Sequence, residues 1–232
     1  MRLPFFMAAV VSLLAAVHAA PPPHDGKPEP AVFIEKLRAG REQTIVYYGT
    51  SLTQAGAWTR FLTEELTAKF PGQVTARNSG GPGMHSGWGL RNVDERVIAH
   101  KPDVVFIEFA INDAVARFKL SPAKAKENLN QMIDRILAAR PECEIILQVM
   151  NPVVGKPEGD SGWRPTMEEC QNNYREVAKE RGLKLIDHMP AWSDVLAKGE
   201  ARFRVYVPDG VHPAQEGWRQ IVMPELRRQL GL

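Results

Sequence analysis

The sequence is poor in cysteine, in charge of one sign and in long apolar runs, and each shortage narrows what the chain can be. Its two cysteines are Cys143, before an apolar strand-like run, and Cys170, in a helix-like stretch. Export would permit a disulfide between them and burial would suit two free thiols, and spacing does not choose between these. Lysine and arginine number 29 against 27 aspartate and glutamate, a net +2, and no basic block is interleaved with aromatics. A nucleic-acid partner is therefore not expected. The six histidines are scattered and H-E-x-x-H is absent, so neither a metal nor any other cofactor is expected. No internal repeat is evident, and G-x-S-x-G does not occur.

The one long apolar run is at the start. Arg2 precedes small and apolar residues from Leu3 to Ala20, and Val17 and Ala19 stand where a signal peptidase reads. The pattern predicts a signal peptide over 1–19, too short in its apolar core for a spanning helix. It implies export to the periplasm or the extracellular space, with no stable membrane insertion after cleavage. Pro21-Pro22-Pro23-His24-Asp25-Gly26-Lys27-Pro28 predicts a disordered lead-in over 20–30. Residues 31–232 remain, about 200 in number, which suits one well-buried domain.

Within that domain apolar runs alternate with helical patterns. Strands are expected at Thr44–Gly49, Gln73–Arg77, Asp103–Ala110, Glu144–Met150 and Leu183–Asp187. Most are continuous apolar runs without period-two alternation, as in strands covered on both faces. Helices are expected at Ala57–Phe70, Gly87–His100, Ser121–Arg140, Thr166–Arg181, Ala191–Lys198 and Pro213–Leu230. Ser121-Pro122 is an N-cap followed by a first-turn proline. This β-α alternation predicts an α/β fold, a parallel sheet covered by helices, with ligands bound at the carboxyl ends of the strands.

Four segments carry candidate chemistry, three of them at such strand ends. Ser51 follows the first strand and opens a helical stretch. A serine hydroxyl needs a base to become a nucleophile, and alone it reads equally as an N-cap. Asp209 and His212 stand three apart in one turn-rich loop, where the carboxylate can fix the tautomer of the imidazole that faces the serine. Gly83 ends a glycine-rich turn after the second strand, and Asn112 follows the third. With the Ser51 N–H they can supply three oxyanion donors.

In this order and spacing the segments resemble the four blocks of the SGNH hydrolases, also called the GDSL esterase/lipase superfamily. Gly49-Thr50-Ser51-Leu52-Thr53 looks like the first block and Asn78-Ser79-Gly80-Gly81-Pro82-Gly83 like the second. Ala110-Ile111-Asn112-Asp113 looks like the third and Asp209-Gly210-Val211-His212-Pro213 like the last. The resemblance implies a three-layer α/β/α flavodoxin-like fold with a five-stranded parallel sheet, and ester hydrolysis through an acyl-enzyme without metal or cofactor. It implies Ser51 as nucleophile, His212 as base, Asp209 as its partner, and Ser51, Gly83 and Asn112 as oxyanion hole. Thr50 and Ala110 depart from the blocks, replacing an aspartate and a glycine respectively.

Substrate is read more coarsely. Gly155–Pro165 follows the fourth strand and should overhang the cleft, so Trp163 and Arg164, with Trp88, are candidate substrate contacts for a sugar. Trp192 and Trp218 lie in helical stretches and are expected in the core. The expected activity is hydrolysis of small acyl esters, O-acetyl foremost, on a small molecule or glycan. Glycan O-acyltransfer, lysophospholipase or thioesterase action, and a non-catalytic binding role are the alternatives.

Overall fold

The computed structural model describes residues 28–232. The expected signal peptide and most of the expected lead-in lie outside the described residues. By Ala31 the chain is fully buried, with its N–H on the Leu230 carbonyl at 3.2 Å.

Five strands form one parallel sheet: β1 (Gln43–Gly49), β2 (Val74–Asn78), β3 (Val104–Glu108), β4 (Glu144–Val149) and β5 (Lys184–Asp187). Their order is β2-β1-β3-β4-β5, the flavodoxin-like arrangement, which reverses direction between β1 and β3. Alternation of side chains divides each apolar strand between two cores. Ile45, Tyr47, Val104, Phe106 and Ile146 face one core, with Trp58, Trp192, Phe203 and Trp218 from the covering helices. Val46, Tyr48, Val105, Ile107 and Leu147 face the other, against Val93, Leu129, Ile133, Tyr174 and Val177. The central strand runs β1, β3 and β4 lack period two because both sheet faces are covered there. The expected α/β/α architecture is the observed one, and Trp192 and Trp218 are core residues. Cys143 and Cys170 are free and buried, and burial pushes both thiols up to about 12. No helix among the described residues is long and apolar enough to cross a membrane.

Four departures from the expected elements have physical causes. The third strand ends at Glu108, two residues early: Phe109 turns to φ −136°, ψ −11°, and its carbonyl accepts from the N–H groups of Asn112 and Asp113. Ala110–Asp113 is thus a helical turn, and Asn112 sits in it. The last helix is interrupted, with a wider turn over Trp218–Val222 between Gln215–Gly217 and Met223–Leu230. Pro224 lacks the N–H that an unbroken α-helix would give to the Gln220 carbonyl. A further helix, Val32–Arg38, owes its start to a distant group: Glu144 of β4 accepts from the N–H groups of Val32 (3.0 Å) and Phe33 (2.7 Å). A short helix at Glu200–Tyr206 begins after Gly199 at φ +104° and anchors through Phe203 and Tyr206.

Candidate active site

The site stands on the carboxyl ends of β1, β2 and β3, at the point where the sheet order reverses. After Gly49, Thr50 caps a one-turn helix, Ser51–Gln54, its hydroxyl accepting from Leu52 N–H at 3.1 Å. Ser51 is the first helical residue, so its N–H has no intrahelical acceptor. From the far end of the chain, the loop before the last helix brings His212 Nε2 within 2.9 Å of Ser51 Oγ. His212 Nδ1 lies 2.7 Å from Asp209 Oδ2. Asp209 Oδ1 also accepts from the N–H groups of His212 (2.7 Å) and Val211 (2.9 Å). Partial desolvation raises the Asp209 pKa, but these N–H donors and the imidazole outweigh it and hold the carboxyl at about 2. An ionised Asp209 accepts from Nδ1–H, which leaves Nε2 as the acceptor for the serine hydroxyl.

The loop of Asp209 and His212 is tied down by the segment that follows β4. Asn151 Nδ2 donates to the Val211 carbonyl at 2.8 Å, and Val154 N–H to the Gly210 carbonyl at 3.0 Å. Gly210 has φ +81°, and a β-carbon there would stand 2.1 Å from the Val154 carbonyl oxygen. Only glycine fits that closure.

The second and third blocks meet beside this relay. Asn78 Nδ2 donates to the Thr53 carbonyl at 2.8 Å, and Gly81 N–H to the Gly49 carbonyl at 2.8 Å, which joins the glycine-rich turn to the Ser51 helix. Gly83 has φ +72° with open space where a β-carbon would be, so its need for glycine is conformational. Asn112 Nδ2 donates to the carbonyl of Met84, the residue after Gly83, at 2.9 Å. On the other side Arg164 Nη2 approaches Asn112 Oδ1 at 3.5 Å, and Arg164 Nε and Nη1 are spent on the carbonyls of Ile111 (2.7 Å) and Gly162 (2.5 Å). Burial, with Arg117 nearby, lowers the Arg164 pKa to about 10. The guanidinium is thus committed to the frame around Asn112.

The two tryptophans named from sequence have defined neighbours. Trp88 packs tilted on Tyr48 at 5.9 Å and Phe109 at 6.4 Å, with the Arg96 guanidinium over its ring at 4.9 Å. Its far edge is the atom a β-carbon on Gly81 would strike, at 2.7 Å. Trp163 is half-buried, its carbonyl accepting from Ala116 N–H at 2.9 Å. His85 lies on Phe118, ring centroids 4.8 Å apart, with its pKa lowered by burial and by Arg91.

Two acidic residues of the site were not singled out from sequence. Glu108 and Asp113 are each almost wholly buried, at 1% and 2% exposure. Burial pushes both up to about 7, against hydrogen bonds from Thr53 and Thr50 to Glu108 and from Ser86 to Asp113. The available signal was a lone charge inside the apolar run VVFIEFA. A carboxyl with a raised folded-state pKa binds its proton more tightly folded than unfolded. Its stabilising share is complete below the unfolded value and is lost as pH rises through about 7. Thermal melts should therefore show E108Q gaining on the wild type between pH 5 and pH 8. A constant difference across that range would contradict the burial argument.

Comparison with known proteins agrees with this architecture. The model of the GDSL-like lipase/acylhydrolase family matches residues 44–220, and the chain belongs to that family and is a hydrolase. An acetylxylan esterase from Geobacillus stearothermophilus superposes with a TM-score of 0.70 at 21% identity, covering 83% of this chain and 95% of that one. A lipase/acylhydrolase from Enterococcus faecalis superposes with a TM-score of 0.66 at 23% identity, covering 82% and 96%. An α/β hydrolase from the metagenome of Lake Arreo superposes with a TM-score of 0.67 at 20% identity, again over 82% and 96%. No curated protein sequence matches the chain.

Proposed function

We propose that this hydrolase is an exported serine esterase that removes small acyl groups, acetyl foremost, from carbohydrate. The observation that carries the catalytic part is the unbroken relay from Ser51 Oγ through the His212 ring to Asp209, at 2.9 and 2.7 Å. In this reading His212 Nε2 takes the Ser51 proton as Oγ attacks the ester carbon. The tetrahedral oxyanion is held by the N–H groups of Ser51 and Gly83 and by Asn112 Nδ2. The imidazolium then protonates the leaving sugar oxygen, and the acyl group stays on Ser51. His212 next draws a proton from water, which attacks the acyl-enzyme and frees the acid and the serine. Asp209, held at about 2, stays ionised throughout and stabilises the imidazolium.

Carbohydrate as substrate is supported by the expected leader, by an aromatic and basic cluster in which Trp163 bonds Ala116 and Arg117 lies over the Phe118 ring, and by the activity named for the Geobacillus neighbour. The test pairs two measurements on the mature protein: intact mass after an organophosphonate probe, and acetate release from acetylated xylo-oligosaccharides against longer acyl esters. A single adduct at Ser51 with preference for the acetylated sugar is expected. No adduct on folded protein would overturn the mechanism, and a preference for long acyl chains would overturn the substrate.

The oxyanion assignment has its own check. In this reading the oxyanion takes the Asn112 N–H that Met84 does not, and Asn112→Ala should lower kcat roughly a hundred- to a thousandfold with little change in KM. An unchanged kcat would remove Asn112 from the hole.

A further inference from the structure

Glu108 is a carboxyl in the buried end of β3 whose bonds run to the nucleophile loop. Its Oε1 accepts from Thr50 N–H at 2.7 Å, from Thr53 Oγ1–H at 2.6 Å and from Thr50 Oγ1–H at 3.0 Å. Its Oε2 lies 3.1 Å from Thr50 Oγ1. All these donors belong to the two threonines that bracket Ser51. The Thr50 hydroxyl has one proton to give, and it goes to Glu108 while the oxygen accepts from Leu52 N–H, so one residue both caps the Ser51 helix and moors it to β3. The fit is close: a β-carbon on Gly49 would stand 2.3 Å from Glu108 Oε1 and 2.5 Å from Thr53 Oγ1. The titratable groups that act on Glu108 are Asp113, in the turn after β3, and Tyr174, whose hydroxyl accepts from Phe109 N–H at 2.8 Å.

This contact accounts for the departure at position 50. An aspartate there, as in the family's first block, would cap the helix equally well. Ionised, it has no proton for Glu108 and would set two carboxylates against each other in a buried site, a costly arrangement. Resting on the reading of Ser51 as nucleophile, we propose that Glu108 is a positioning residue for Ser51, with Thr50 as its matched hydroxyl partner. The pair then sets where Ser51 Oγ and Ser51 N–H stand relative to His212 and the oxyanion.

The test uses E108A, E108Q, T50D and the double variant T50D/E108Q, each confirmed folded by circular dichroism. The readouts are kcat, KM and the rate of phosphonate labelling at Ser51 from pH 6 to pH 8.5. E108A is expected to lose about a hundredfold in kcat and in labelling rate with KM nearly unchanged, the size of loss that a slight misplacement of reacting groups causes. E108Q keeps an oxygen for all three donors and should stay within about threefold of the wild type. T50D should be poorly active at pH 8.5 and improve toward pH 6, where one carboxyl holds a proton. T50D/E108Q should recover activity across the range, because the amide donates to the new carboxylate. Folded E108A with wild-type kcat and labelling overturns the proposal, as does T50D matching the double variant at pH 8.5. Should E108A fail to fold, the comparison of T50D with the double variant decides the matter. Failure of the wild type to label at Ser51 would instead overturn the nucleophile assignment.

Discussion

Ser51→Ala should leave a folded protein whose kcat on an acetyl ester is lower by about a millionfold. The substitution removes only Oγ, whose partner His212 Nε2 is on an exposed side chain, so no buried group is orphaned. Stability should change by less than about 0.5 kcal/mol, as for surface changes away from special features. The oxyanion donors Gly83 and Asn112 remain, so slow hydrolysis by water at the emptied site is the expected residue of activity. Melting temperature, acetate release and phosphonate labelling should be read on one preparation. Full turnover with no change in folding would end the assignment of Ser51 as nucleophile.

Asp209→Asn should cost about ten-thousandfold in kcat for a different reason. The amide oxygen can still accept from the N–H groups of His212 and Val211, now served by Asp209 Oδ1, so the loop should keep its shape. The amide nitrogen then faces His212 Nδ1 and donates to it. That moves the imidazole proton to Nε2, where it points at Ser51 and cannot accept. Labelling of Ser51 should slow in parallel with turnover, while KM changes little. A loss below about tenfold would mean that Asp209 orients a loop and does not choose the tautomer.

Much of the molecule was legible from local pattern. The five strands were readable because apolar β-branched runs such as TIVYYG and DVVFIEFA admit few other structures, and no strand end lies more than two residues from its expected position. The Ser121-Pro122 start was equally plain, and Ser121 Oγ accepts from Lys124 N–H at 3.2 Å. Less legible were elements that depend on distant partners. The helix at Val32–Arg38 is capped by Glu144, more than a hundred residues away. The turn at Ala110–Asp113 forms where Phe109 N–H bonds the Tyr174 hydroxyl and β3 can no longer continue.

The site divides in the same way. Ser51, Gly83, Asn112, Asp209 and His212 could be named from the chain, because each needs a particular residue type in a particular turn. A hydroxyl at a helix start, a glycine at positive φ and an Asp-x-x-His loop are local requirements, and local requirements leave marks in sequence. Glu108 and the mooring of Asn112 by Arg164 could not be named so. Whether a carboxyl in an apolar strand is buried, and which donors meet it, depends on the sheet order that sets β3 beside β1. Whether the Arg164 guanidinium faces solvent or the carbonyls of Ile111 and Gly162 depends on how the Gly155–Pro165 loop folds back. Sequence by itself determined the fold class and marked the candidate site residues, and the tertiary structure alone decided what holds those residues in place, because hydrogen bonds across long sequence separations exist only once the sheet has assembled.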